Sequence, residues 1–157
     1  MGNITFIFSN YYIDVAFLAW LIAQVLKTLL AFFLTKEIVW ERMVGAGGMP
    51  SSHSAVTCSV LLTSYLIYGF SSPIFAMAFV LALIVMYDAT GVRWAAGLHA
   101  KAINYIVEYL GDENTKDKDQ LKEMIPKLNE SLGHRMIEVV CGALLGFAIS
   151  LIGYFCF

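Results

Sequence analysis

Long apolar runs alternate with short polar interruptions along this chain. Tyr11 to Leu34 is apolar apart from a few polar side chains, of which only Asp14 and Lys27 are charged, and about 20 such residues suffice for a helix to cross a hydrocarbon layer of roughly 30 Å. A polar stretch, Thr35 to His53, follows and is dense in glycine (Gly45, Gly47, Gly48). Ser54 to Tyr68 and Ile74 to Tyr87 are two shorter apolar runs around the turn Gly69-Phe70-Ser71-Ser72-Pro73. Each is short for a full crossing, so the pair predicts a hairpin of thin or tilted spans, or a buried hairpin that stops short of crossing. Asp88 to Ile137 is a polar insert, and Glu138 to Tyr154 is the last apolar run. The pattern predicts an all-α membrane bundle, one domain over residues 1–157, with about four spans (11–34, 54–68, 74–87, 138–154) and the insert 88–137 on one side.

Inside the insert, Val92, Ala95, Ala96, His99, Ala102, Ile103, Ile106, Val107 and Leu110 recur at three- and four-residue steps, the mark of an amphipathic helix. Such a helix is expected to lie along the membrane surface or to cap the bundle. Gly111 to Asp119 reads as a solvated loop, and Leu121, Met124, Ile125 and Leu128 as a second, weaker helical stripe interrupted by Pro126.

Composition sharpens this picture. Of 157 residues, 59% are apolar and 14% charged, with mean hydropathy +0.72, too apolar for a soluble domain. Of the 22 charged side chains, 16 lie between Asp88 and Glu138. A net charge of -2 with 10 Lys and Arg gives no basic stripe for a nucleic-acid backbone, which excludes that partner. Cys58, Cys141 and Cys156 sit in apolar runs, without disulfide or zinc spacing, and are expected to be packing residues. The start, MGNITFIFSNYYID, lacks the basic region and cleavage site of a secretory signal, so the first apolar stretch is expected to be retained.

Four spans would put Thr35 to His53 and the insert on the same side. Nine of the ten basic residues, all but Lys27, then fall on that side and none on the other. Under the positive-inside rule that side is cytoplasmic, in an integral protein of a bacterial inner membrane.

Four segments carry candidate chemistry. In Gly47-Gly48-Met49-Pro50-Ser51-Ser52-His53-Ser54-Ala55, Ser51 or Ser52 can cap the following helix while the glycines let backbone N–H groups turn toward an anion. That arrangement suits phosphate, with His53 in the first turn at its edge, but equally an ordinary helix cap. In Gly133-His134-Arg135-Met136-Ile137-Glu138 the histidine and the carboxylate are four apart. Glu138 can then fix the imidazole tautomer and leave the other nitrogen as nucleophile or base; a surface pair at a helix start is the plainer reading. Lys27 lies within the first span, where an ionisable group marks either function or a side chain snorkelling to the interface. Arg93 follows the third run, placed to grip phosphate bidentately or to pair with Asp88 or a headgroup.

In this order the segments resemble the type 2 phosphatidic acid phosphatase and vanadium haloperoxidase superfamily, and more closely its small divergent membrane branch. Pro50-Ser51-Ser52-His53 matches the superfamily's second motif with Ser for Gly. The divergent branch is similar through GGMPSSHSA (47–55), YDATGVRWAAG (87–97) and LGHRMIEVVCGALLG (132–146). The resemblance implies that His134 attacks phosphorus, Glu138 orients it and His53 protonates the leaving alkoxide. Lys27, Arg93 and the loop residues Ser51, Ser52 and Gly48 would hold phosphate oxygens, with neither metal nor cofactor. Arg42, fifteen residues after Lys27 and not followed by Pro, is a lesser candidate, as are Asp88 and His99. His99 follows Arg93 at the superfamily's spacing, but Ile103 stands where its orienting carboxylate belongs, whereas His134 has Glu138 there.

The expected function is hydrolysis of a lipid or prenyl phosphomonoester or pyrophosphate through a phosphohistidine. A non-catalytic lipid-phosphate binder or transporter is the alternative, and a structural protein packed through Gly142 and Gly146 a third. The expected partners are the lipid phosphate and membrane lipids, with a homo-oligomer left open. In a cysteine-free background, a cysteine placed at Gly69 should react with an impermeant thiol reagent outside intact cells, and one at Asn114 should not. The reverse pattern would put the polar insert outside.

Overall fold

The computed structural model describes residues 10–36, 48–110, 124–130 and 132–156. Its main helices are α1 (Tyr11–Thr35), α2 (Ser52–Tyr68), α3 (Pro73–Thr90), α4 (Val92–Leu110) and α5 (Met136–Cys156), with no strand among the described residues. Arg42, the loop 111–119 and Leu121 lie outside them.

Local chemistry sets the helix ends. Asn10 caps α1, its Oδ1 accepting from Tyr12 N at 3.0 Å, and satisfies a donor that has no partner within the helix. Ser51 caps α2, its side chain accepting from Ser54 N. Ser72 caps α3, which opens with Pro73, where the missing N–H costs nothing. Gly91 separates α3 from α4, and its N–H bonds to Tyr87 O at 2.8 Å.

Among the described residues, three stretches can cross a membrane by length and composition: Tyr11–Phe33, Pro73–Glu108 and Met136–Cys156. The first and last match the expected spans, and the middle one joins α3 to α4. With 17 residues, α2 is the short central element. Its buried face is rich in hydroxyls, and where water is excluded these need partners within the protein. Ser59 donates to Val56 O, Ser64 donates to Val60 O, and Thr63 and Ser150 share a hydrogen bond of 2.8 Å between α2 and α5.

Small residues let the helices approach closely. A Cβ at Gly142 would collide with the Ser51 carbonyl, and one at Gly146 with the Ala55 carbonyl. Ala19 and Ala23 of α1 join Ala55 and Ile149 in the buried core. At one end of the bundle Gly153 lies beside Tyr11, and Tyr12 stacks on Tyr68 at 6.2 Å. At the other end Gly48 packs on Lys27, Ser51 N donates to Glu138 O at 3.0 Å, and His134 N donates to Ala89 O at 2.9 Å. Helices α1, α2, α3 and α5 therefore alternate in direction, and the segments that carry candidate chemistry meet at one end.

Helix α4 forms as its periodicity predicts, with Val92, Ile103 and Ile106 exposed and Gly97 and Ala100 buried. Its protein-facing side rests on a strap that includes Leu128, Glu130 and Leu132, Gly97 lying against the Glu130 and Leu132 carbonyls. There the Asn104 side chain imitates a peptide group, Nδ2 donating to Leu128 O and Oδ1 accepting from Leu128 N, both at 2.9 Å. Of the second helical stripe, Met124 is helical and Ile125 to Glu130 is irregular. Pro126 has no N–H to give a helix and disfavours helical geometry at Ile125, and Asn104 takes both backbone groups of Leu128.

Gly146→Ala should lower stability by about 1–3 kcal/mol, the usual cost of overpacking a tight contact, read as a lower unfolding temperature by circular dichroism in detergent. A wild-type temperature would contradict the α2–α5 contact.

Candidate active site

His53 stands in the first turn of α2, immediately ahead of the apolar run 54–68. His134 lies two residues before α5, at the end of the strap. The two imidazole rings are 6.5 Å apart, tilted by 59°. Reacting atoms approach to about 3–3.5 Å before bonding, so one phosphorus fits between a nucleophile on one ring and a proton donor on the other.

Glu138 Oε2 accepts from His134 Nδ1 at 2.9 Å and from Arg135 N at 3.3 Å. With Nδ1–H committed to the carboxylate, the lone pair of the neutral imidazole is on Nε2. His134 is 3% exposed, and its Nε2 is buried without a hydrogen-bond partner. A buried polar atom left without a partner is costly and calls for an explanation. This one belongs to a side chain that lines a cavity of about 70 Å³ together with His53, Val85, Asp88, Ala89, Arg93 and Gly133.

The placement of His134 rests on backbone contacts. Gly133 has φ +79°, in the left-handed region, and a Cβ there would collide with Trp94 N at the start of α4. The next residue donates to Ala89 O. The strap, α3 and α4 thus fix the histidine from three sides.

The other expected residues divide into two groups. Arg93 and Asp88 reach the cavity and pair with each other, Arg93 Nε donating to Asp88 Oδ2. Lys27 is buried at 2% exposure beneath Gly48, which has φ +97° and would bring a Cβ to 3.3 Å from Lys27 Cγ. Lys27 is not among the cavity-lining side chains but interacts electrostatically with Glu138 and His53. Ser51 and Ser52 are buried. The Ser51 hydroxyl oxygen accepts from Ser54 and its N–H goes to Glu138 O, so these groups serve the scaffold. His99 is exposed on α4 and does not line the cavity. Sequence reasoning missed Val85, Ala89 and Gly133 as lining residues; the glycine preceding His134 was the available signal for the last.

Burial, followed by the Arg93 guanidinium, His134 and Lys27, holds His53 below its ordinary value of 6.5, with Asp88 opposing. The described residues contain no cluster of three or more His, Cys, Asp or Glu able to hold a metal ion.

The profile described as "Divergent PAP2 family" matches residues 8–149. A membrane protein of Bacillus subtilis (strain 168), titled "Uncharacterized membrane protein YuiD", is 36% identical over 148 residues, 92% of this chain and 94% of that protein. No solved structure matches the chain.

Proposed function

Since this chain belongs to the Divergent PAP2 family, we propose that it is a metal-independent phosphatase of a lipid or prenyl phosphomonoester or pyrophosphate, with its site on the cytoplasmic side. The observation that carries this reading is the buried, unpartnered Nε2 of His134, on a ring held by Glu138 at its other nitrogen and set 6.5 Å from the His53 ring, both side chains lining one small cavity. A volume of about 70 Å³ holds a few waters, each needing about 10–15 Å³. It has room for a phosphoryl group, while the rest of the substrate stays outside with the membrane lipids.

In the first step Nε2 attacks phosphorus, the N–P bond forms, the P–O ester bond breaks, and His53 gives its proton to the leaving oxygen. Glu138 stabilises the positive charge that develops on the ring, and Arg93 stabilises negative charge on the phosphoryl oxygens. In the second step a water attacks phosphorus and gives its proton to His53, the N–P bond breaks, and phosphate leaves. Lys27, behind the wall of the cavity, acts through the field it exerts on Glu138 and His53.

Rapid quench without acid should trap a phosphohistidine that disappears in His134→Ala and persists in His99→Ala. A label that follows His99 instead would move the site onto α4. If the wild type binds phosphate but forms no label and releases none from any lipid phosphate, the non-catalytic binder is the better reading.

The proton donor must be protonated, and His53 titrates below 6.5. The kcat/KM, which reports free-enzyme ionisations, should therefore fall as pH rises through a value below 6.5. His53→Ala should lose that limb and reduce kcat by roughly 10²- to 10⁴-fold for an alkyl ester, with a much smaller loss for a leaving group that needs no proton. An unchanged pH profile in His53→Ala would remove it from the acid role.

A further inference from the structure

The cavity contains a charge that a phosphate site would not need. Besides the two histidines and Arg93 it is lined by Asp88, which stands in the last turn of α3, and Arg93 lies in the first turn of α4. The break at Gly91 brings the two side chains together, and Arg93 Nε donates to Asp88 Oδ2. That carboxylate oxygen engages the guanidinium as a phosphate oxygen would. The side chains are 51% and 38% exposed, so water screens the pair, and exposed pairs of this kind are weak.

We propose that Asp88 is a resident competitor for Arg93, holding the guanidinium while the cavity is empty and yielding it to the incoming phosphoryl group. This rests on the phosphate reading of the site and adds a specificity device to it. A phosphoryl dianion carries more charge than the carboxylate and brings several oxygens to a guanidinium suited to bidentate contact. It can therefore displace Asp88, whereas a singly charged, poorly matched anion competes less well. The displaced carboxylate stays at the rim of the cavity, where it repels the doubly charged product and favours its release. Four charged or titratable groups act on His53: Asp88 from α3, Arg93 from α4 and His134 from the strap across this cavity, and Lys27 of α1 from behind its wall. Transfer of Arg93 from Asp88 to the phosphate thus changes the charge beside the proton donor at the moment of binding.

The experiment is equilibrium binding of orthovanadate to the purified full-length protein in detergent, for wild type, Asp88→Asn and Asp88→Ala, each also combined with Arg93→Ala. Asn keeps an oxygen for the Arg93 Nε hydrogen bond and removes the charge, and Ala removes both. Both variants should bind about three- to tenfold more tightly, as expected from removing a weak screened pair and a like charge, a direction that structural damage does not produce. The gain should shrink toward zero in the Arg93→Ala background. Unchanged binding in both variants overturns the proposal, and weaker binding in both overturns it by making Asp88 an aid that aims Arg93. If wild type binds vanadate and the variants match it, only this inference falls. If neither wild type nor either variant binds, the phosphate reading falls and takes the inference with it.

Discussion

The close approach of α2 and α5 is the constraint on which the rest of this structure depends. Where Gly142 and Gly146 face Ser51 and Ala55, the two backbones come within a distance that no Cβ would tolerate. Only at that spacing can Ser51 N reach Glu138 O and Thr63 reach Ser150. In a membrane, burial of apolar surface gives little drive for helices to associate, because lipid tails are as apolar as the side chains. Close packing and interhelical hydrogen bonds must then hold the bundle together, and here they also fix where the two histidines stand.

The His134–Glu138 bond turns that scaffold toward chemistry. A 2.9 Å contact to a carboxylate commits one ring nitrogen, and burial keeps water from the other. The site has four basic or imidazole groups within electrostatic reach of one another and two carboxylates, and each carboxylate has a distinct partner: Glu138 with His134 and Asp88 with Arg93. The separation matters because a carboxylate shared between histidine and arginine would orient neither.

Much of this was legible in the sequence, and the exceptions share a physical cause. Apolar runs gave α1 and α5 to within a few residues, and turn chemistry at Ser72 and Pro73 gave the start of α3. The order of Pro50-Ser51-Ser52-His53, Arg93 and His134 pointed to one site, and His53, Arg93 and His134 do meet. The periodicity of α4 revealed two faces but not which one touches protein, because beside lipid the apolar face is free to turn outward. Likewise Lys27 was visible as a charge within a span, but the direction of its side chain depends on Gly48, twenty-one residues further along the chain. The Asn104–Leu128 contact joins a side chain to backbone across 24 residues, and no local pattern announces such a bond.

That same contact separates the fate of the insert from the fate of the site. The two strands of chain leaving the bundle are tied together at Asn104 and Leu128, between the intervening loop and His134. Residues inserted or deleted between the two tied positions need not disturb the tie, because the entropy cost of closing a segment grows slowly with its length. A chain built this way can lengthen or shorten the segment between the tied residues while the histidine at the foot of the strap stays where it is.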